Sequence, residues 1–124
     1  MLVDAAKDAL LDHVADNSDA VDICTADPAN YAGISAVSVA SYAVTAGDGN
    51  GDWTIDDGAT DGRELNLGAQ TGNNGTATGA ANYLAAHDGS TTLYYTWDGD
   101  GDTVTSGNPV DISAHVALTV RDPS

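Results

Sequence analysis

The sequence predicts a mainly β domain: an antiparallel β-sandwich or barrel of about seven to eight short strands, preceded by one short N-terminal helix. Three observations carry this. After about residue 20 apolar residues alternate with polar ones, the period of strands that bury one face. Gly, Asp and Asn clusters separate these segments at intervals suited to antiparallel hairpins. Only the segment at about 3–16 spaces its apolar residues by three and four, as a helix does. At 124 residues and 12.5 kDa the chain fits a single domain, 1–124, with the helix at about 3–16 and a β body at about 20–121.

In the helix, Val3, Ala6, Leu10 and Val14 fall near one face, widened by Ala9 and Leu11, while Asp4, Asp8 and Asp12 repeat along another. Asp4 is placed to cap the start, and Asn17-Ser18-Asp19 ends it. Strands then follow in "AVDICTA", "SAVSVASYAVT", "DWTID", "RELNLGA", "TTLYYTW" and "HVALTV". In the last of these Val116, Leu118 and Val120 are expected on one side. Weaker strands are expected at 76–86 and 103–112, and "GAQTGNNGTATGA" is expected to be an exposed, flexible loop. Asp27-Pro28 and Asn108-Pro109 mark turns.

Nineteen acidic residues face three basic ones, for a formal charge of -16, and Glu64 is the one acid that is not Asp. Nucleic acid is therefore not expected as a direct partner, since phosphate binding needs clustered Lys and Arg. Leu, Ile and Val make up 22 of 124 residues and Phe is missing, a balance that can signal disorder. The alternation argues against it, because 21 Ala with seven Tyr and Trp can fill a thin core. Abundant Asp and Ala with scarce Lys resemble the protein style of salt-loving archaea, where about 1 M salt shrinks the Debye length to roughly 3 Å and screens the repulsion. Cys24 stands alone, so no intramolecular disulfide forms, and it is expected to be a small buried hydrophobe. No run of about 18 apolar residues and no basic-apolar leader is present, so neither a membrane span nor a signal peptide is expected, and the chain is expected to be soluble and made in the cytoplasm.

Two motifs invite a cation: Asp98-Gly99-Asp100-Gly101-Asp102 and Asp48-Gly49-Asn50-Gly51-Asp52. Asp98, Asp100, Asp102, Asp48, Asn50 and Asp52 offer oxygen ligands for Ca²⁺, Mg²⁺ or Na⁺. An EF-hand loop needs Gly at position 6 and Glu at position 12. The first motif has Thr103 and Pro109 there, and the second Trp53 and Ala59. Ordinary turn chemistry is the preferred account of both, because Gly accepts positive φ and Asp bonds nearby backbone. No cofactor is required. His13, His87 and His115 lack metal-ligand spacing, with His87 expected in a turn beside Asp88 and His115 in or beside the last strand. No G-x-S-x-G elbow occurs. Paired carboxylates are too common to indicate acid-base chemistry, so no enzyme is expected. Asn74-Gly75-Thr76 forms a glycosylation sequon. Tyr94 points away from Tyr95 and Trp97, so the sheet is covered on both sides or Tyr94 meets a partner.

Leu10-Leu11-Asp12-His13-Val14 on the helix, then Thr25-Ala26-Asp27-Pro28 after a strand, then "NYLAAHDGSTTLYYTW" and "GNPVDISAHVALTV" follow an order that resembles a family of small tailed-phage virion proteins. With the acidic composition, the resemblance implies a structural protein of a tailed virus with a halophilic host, located in the virion. A capsid decoration or cement protein fits this best, contacting the major capsid protein and copies of itself as a homo-oligomer, with a trimer among the options. A tail, connector or fibre-associated protein is the alternative, and a cation- or glycan-binding β-module a further one. The charge carries a direct test. Transfer from molar KCl to dilute buffer is expected to lower the melting temperature measured by circular dichroism, and an unchanged value would contradict a fold that depends on screening.

Overall fold

In the computed structural model, which describes residues 3–58 and 61–121, helix α1 spans Asp4–Asn17. Its buried face is Lys7, Leu11, Val14 and Ala15, while Leu10 and Val3 point outward at 56% and 65% exposure. Of the expected face, Leu11 and Val14 are buried and Ala6 is half-buried, while Val3 and Leu10 lie outside the packed stripe. Two stripes compete on this helix and share Val14. The face that is covered packs against the strands Trp53–Asp57, Arg63–Leu67, Leu93–Asp98 and His115–Val120, and Arg63 Nε donates to Asp8 Oδ1 at 2.7 Å, a contact compatible with that orientation. Val3 occupies the N-cap position without a side-chain bond, so Asp4 does not cap. Asp4 lies instead in the first turn, where its charge suits the helix dipole and where Lys7 Nζ lies 3.5 Å from its carboxylate.

The expected β class holds, with the sheets left open. Strands β1 (Ala20–Cys24), β2 (Ser38–Ala43), β7 (Tyr83–His87) and β8 (Leu93–Asp98) form an antiparallel sheet in the order β2-β1-β7-β8. Strands β3 (Trp53–Asp57), β4 (Arg63–Leu67) and β11 (His115–Val120) form a second, β11-β4-β3. Two small pairs complete the body: β5 (Gln70–Asn74) with β10 (Pro109–Ile112), and β6 (Gly79–Ala80) with β9 (Thr103–Val104). No sheet closes on itself, which removes the barrel option. The described residues hold eleven strands rather than seven or eight. The surplus lies partly in "GAQTGNNGTATGA", expected as a loop. β5 buries only Gln70, so it forms through backbone pairing with β10 and not through an apolar pattern.

All four sheets and the helix share one core, centred on Trp53, Leu65 and Leu67, each fully buried. Trp53 Nε1 donates to the Ser18 carbonyl at 3.0 Å, and its ring meets Trp97 edge-on at 6.4 Å. The first sheet is covered on both faces at β1. Val21 and Ile23 face the core, while Asp22 and Cys24 lie beneath a 3₁₀ turn (Tyr31–Gly33) and a single helical turn, α2 (Ile34–Val37). Tyr94, the outlier in the alternation, packs its ring edge-on against His13 of α1 at 5.5 Å, so the helix supplies its neighbour.

In β11 a bulge between Val116 and Leu118 breaks the expected alternation. Val116 lies opposite Asn66 and is 43% exposed, whereas the extra residue Ala117 is buried. A bulge places two residues opposite one and so re-aims those before it. Trp53→Ala is expected to cost about 3–5 kcal/mol, from a lost aromatic volume and an orphaned carbonyl. Leu10→Ala is expected to stay within about 0.5 kcal/mol. Urea unfolding at constant high salt measures both, and the reverse order would overturn the assigned helix face.

Candidate functional site

A cleft of about 570 Å³ lies between the first sheet and the arm 98–113, within the range typical of ligand sites. Ile23 of β1, Leu84 of β7, Val104 of β9 and Val110 and Ile112 of β10 give it an apolar wall. Asp98, Asp100, Asp102 and Asp111, all exposed, stand on its lip. The arm is held along its length by backbone bonds. Gly99 N–H donates to Asn82 O, Gly101 N–H to Ala81 O, and Ala81 N–H to Asp102 O, at 2.8–2.9 Å. A Cβ on Gly99 would lie 2.1 Å from Ala81 O, so this glycine is needed for the arm to approach β6 and β7. Farther along, Gly75 N–H donates to Asn108 O and Gly107 N–H to Gly75 O.

The Asp-rich motif of residues 98–102 is therefore the crossing point of this arm. Asp100 Oδ1 accepts from Asp102 N–H at 2.9 Å, an aspartate turn. The earlier motif is a different object, the turn from β2 to β3, with Gly49 and Gly51 at φ 78° and 116°. Asp48 Oδ1 accepts from Ile55 N–H at 2.9 Å, and Asp52 accepts from Thr45 N–H at 2.6 Å and from Gln70 Nε2 at 2.8 Å. Asn50 Nδ2 donates to Ala46 O. Coordination by Asp48 or Asp52 would compete with bonds that hold the turn. Among the described residues no three His, Cys, Asp or Glu side chains converge on a point where a metal ion could sit. Asn74 is exposed at the end of β5, opposite Pro109.

Both nitrogens of His115, which lines the cleft, are engaged. Trp97 Nε1 donates to Nε2 at 2.8 Å, and the Ser113 carbonyl lies 2.8 Å from Nδ1. A carbonyl only accepts, so Nδ1 carries the proton and the ring is neutral. His115 thus offers the cleft no free base. Tyr42 is 2% exposed and its hydroxyl has no hydrogen-bond partner among the described residues. Burial, and secondarily the charge of Asp111, push its pKa above the ordinary phenol value.

A second polar cluster went unseen in the sequence. His87 belongs to β7 and is buried, where a turn position beside Asp88 was expected. Its Nε2 lies 2.8 Å from Asp22 Oδ1, and Gly89 N–H donates to Nδ1 at 3.0 Å. Nδ1 is therefore the acceptor and Nε2–H donates to the carboxylate. Ser38 and Ser41 hydroxyls also donate to Asp22, at 2.6 and 2.7 Å. Ser, His and Asp meet here in an order that cannot transfer an acyl group. The imidazole lone pair faces a backbone amide, and both serines bond the carboxylate. Asp22 sits opposite Val21 and Ile23 in the alternation, so only the covering segment 28–37 reveals that it is buried. Cys24 on the same face is pushed up to about 12 by burial and by the charges of Asp22 and Asp27, which leaves it an inert thiol.

Comparison with protein-family models, with curated proteins and with solved structures finds no match. Function must therefore be argued from the geometry and the composition. No helix among the described residues is long and apolar enough to cross a membrane.

Burial opposes ionisation of Asp22, but the bonds from His87, Ser38 and Ser41 outweigh it and hold the carboxyl below its ordinary 3.8. Its contribution to stability is therefore complete above pH 3.8 and is lost as pH falls through the lower folded value. Asp22→Asn is expected to cost about 1–3 kcal/mol at neutral pH, since an amide cannot accept all three donors. It should also flatten the decline of stability in acid. An acid limb unchanged in the variant would show that these bonds do not carry the pH dependence.

Proposed function

We propose that this chain is a structural protein of a virus particle: a capsid decoration or cement protein that stabilises the shell of a tailed virus of a halophilic host. The observation that carries this is the outward face of α1. Val3, Ala6 and Leu10 share one stripe by their spacing, and Val3 and Leu10 are the two most exposed large hydrophobic residues among those described. On a body with a formal charge of -16, such a stripe is best accounted for by burial in an assembly. The partners are the major capsid protein and further copies of this chain. Edge strands β3, β8 and β11 add backbone groups that a neighbouring subunit can pair.

Three further points support a mechanical role over catalysis. The one Ser-His-Asp grouping is wired for structure, the lone thiol is buried, and His115 has both nitrogens engaged. The thin core of a small domain also gains stability when assembly buries more surface. The order of motifs along α1, β1 and β7 to β11 resembles small tailed-phage virion proteins, a group whose members are labelled as tail or head proteins. The shell is favoured because a compact domain of this size suits repetition over a lattice.

Localisation in a particle reconstruction, with copy number by quantitative mass spectrometry, tests the proposal. Many copies on the shell surface are expected, with α1 turned toward the underlying subunit. Leu10→Asp is expected to leave the melting temperature of the free protein within a few degrees and to reduce occupancy on the shell at least tenfold. Copies restricted to the tail would favour the alternative, and absence from particles would refute both.

A further inference from the structure

The cleft under the arm 98–113 is used by nothing in the assembly reading. Its wall is apolar: Ile23, Leu84, Val104, Val110 and Ile112 are 3–9% exposed and line one continuous concavity. Its lip is anionic, with four aspartates and no base. The chain has only three basic residues, and none lines the cleft. Lys7 lies against Asp4, Arg63 bonds Asp8 and Asp57, and Arg121 bonds Asp61. Among the described residues the lip charge thus has no Lys or Arg beside it.

The distribution of these charges selects the kind of cation. A small hard ion needs several oxygens at about 2.3–2.6 Å, and no three acidic or imidazole side chains converge among the described residues. The carboxylates are instead spread round a rim above hydrocarbon. Such a site rewards a cation of low charge density whose body displaces water from the apolar wall. His115 gives an acid ligand no proton, because its Nδ1–H is already bonded to the Ser113 carbonyl, and no Lys or Arg among the described residues lines the cleft to meet a carboxylate. The site is also prearranged, because the arm is bonded to Ala81, Asn82 and Gly75 along its length, which lowers the ordering cost of binding.

We infer that this cleft is a binding site for an organic cation with an apolar body, an amine or guanidine on an alkyl or aryl frame. The apolar wall takes the body, and Asp98, Asp100, Asp102 and Asp111 hold the charge at the mouth. Direct contact between an ammonium and a carboxylate lies within the roughly 3 Å Debye length of molar salt, so this attraction persists in brine. The inference is independent of where the protein sits in a particle.

Titration with 4-phenylbutylammonium in molar KCl, followed by ¹H–¹⁵N spectra, tests it. Saturable shifts are expected at the amides of Gly99, Gly101, Asp111 and His115. The neutral 4-phenylbutanol and the bodiless methylammonium should each bind at least tenfold more weakly. Asp98→Asn with Asp111→Asn should weaken the ammonium at least tenfold, and Asp16→Asn with Asp56→Asn, remote from the cleft, should leave it unchanged. Neither Asp98 nor Asp111 makes a side-chain hydrogen bond that the fold would lose. Equal binding of the alcohol, equal loss in the remote pair, or shifts scattered over the acidic surface without saturation would each overturn the site.

Discussion

The hydrogen bond from the Trp53 indole to the Ser18 carbonyl joins the end of the helix, the start of β1 and the second sheet at one buried point. Ser18 is the residue where α1 stops, its own N–H still bonded to Val14 O, and β1 begins two residues later. The donor is the largest fully buried side chain. With few aliphatics and no Phe, the core relies on two indoles set edge to face, and Trp97 passes the contact on to His115 and Tyr95. Edge-to-face rings add about 0.5–1.5 kcal/mol beyond area burial, a sizeable share of a small domain's net stability. Displacement of Trp53 would release the helix and both large sheets together.

Charge organises the rest. The two arginines and the lysine pair with acids of α1, β3 and the 61–62 turn, and one of them ties the helix to the second sheet. Arg63 does the most, reaching Asp8 on the helix and Asp57 across the strand pair. The opposite result holds around the arm 98–113, where acids stand unopposed. The same scarcity of bases therefore stiffens one region and leaves the other with an outward negative field, and high salt is the medium that tolerates this asymmetry.

The polar interior shows why residue types alone do not make an active site. Asp22 collects three donors and His87 accepts one, so that both carboxylate oxygens and both ring nitrogens have a partner. Fully satisfied buried networks fix register and strand choice. Here the cluster joins β1, β2 and β7, the three strands that the 28–37 segment covers. Asp88, one residue beyond His87, closes the following turn by accepting from three backbone amides, which hold its carboxyl far below the usual range. Strand end and turn are thus fixed by adjacent side chains.

The sequence by itself determined the acidic composition, the mainly β class, the N-terminal helix and the strands at β1, β2, β3, β4, β8 and β11, because composition and local period are properties of neighbouring residues. It also marked both Asp-Gly motifs as places where the chain must turn. Only tertiary structure decided which stripe of α1 is buried, because Leu10 and Leu11 are equally apolar and the covered side is set by strands from distant parts of the chain. Burial of Asp22 and His87, the pairing of polar β5 with β10, the bulge that turns Val116 outward and the cleft with its acidic lip were likewise decided there. Each depends on contacts between segments far apart in the chain, and no local pattern encodes which segment will arrive to cover which face.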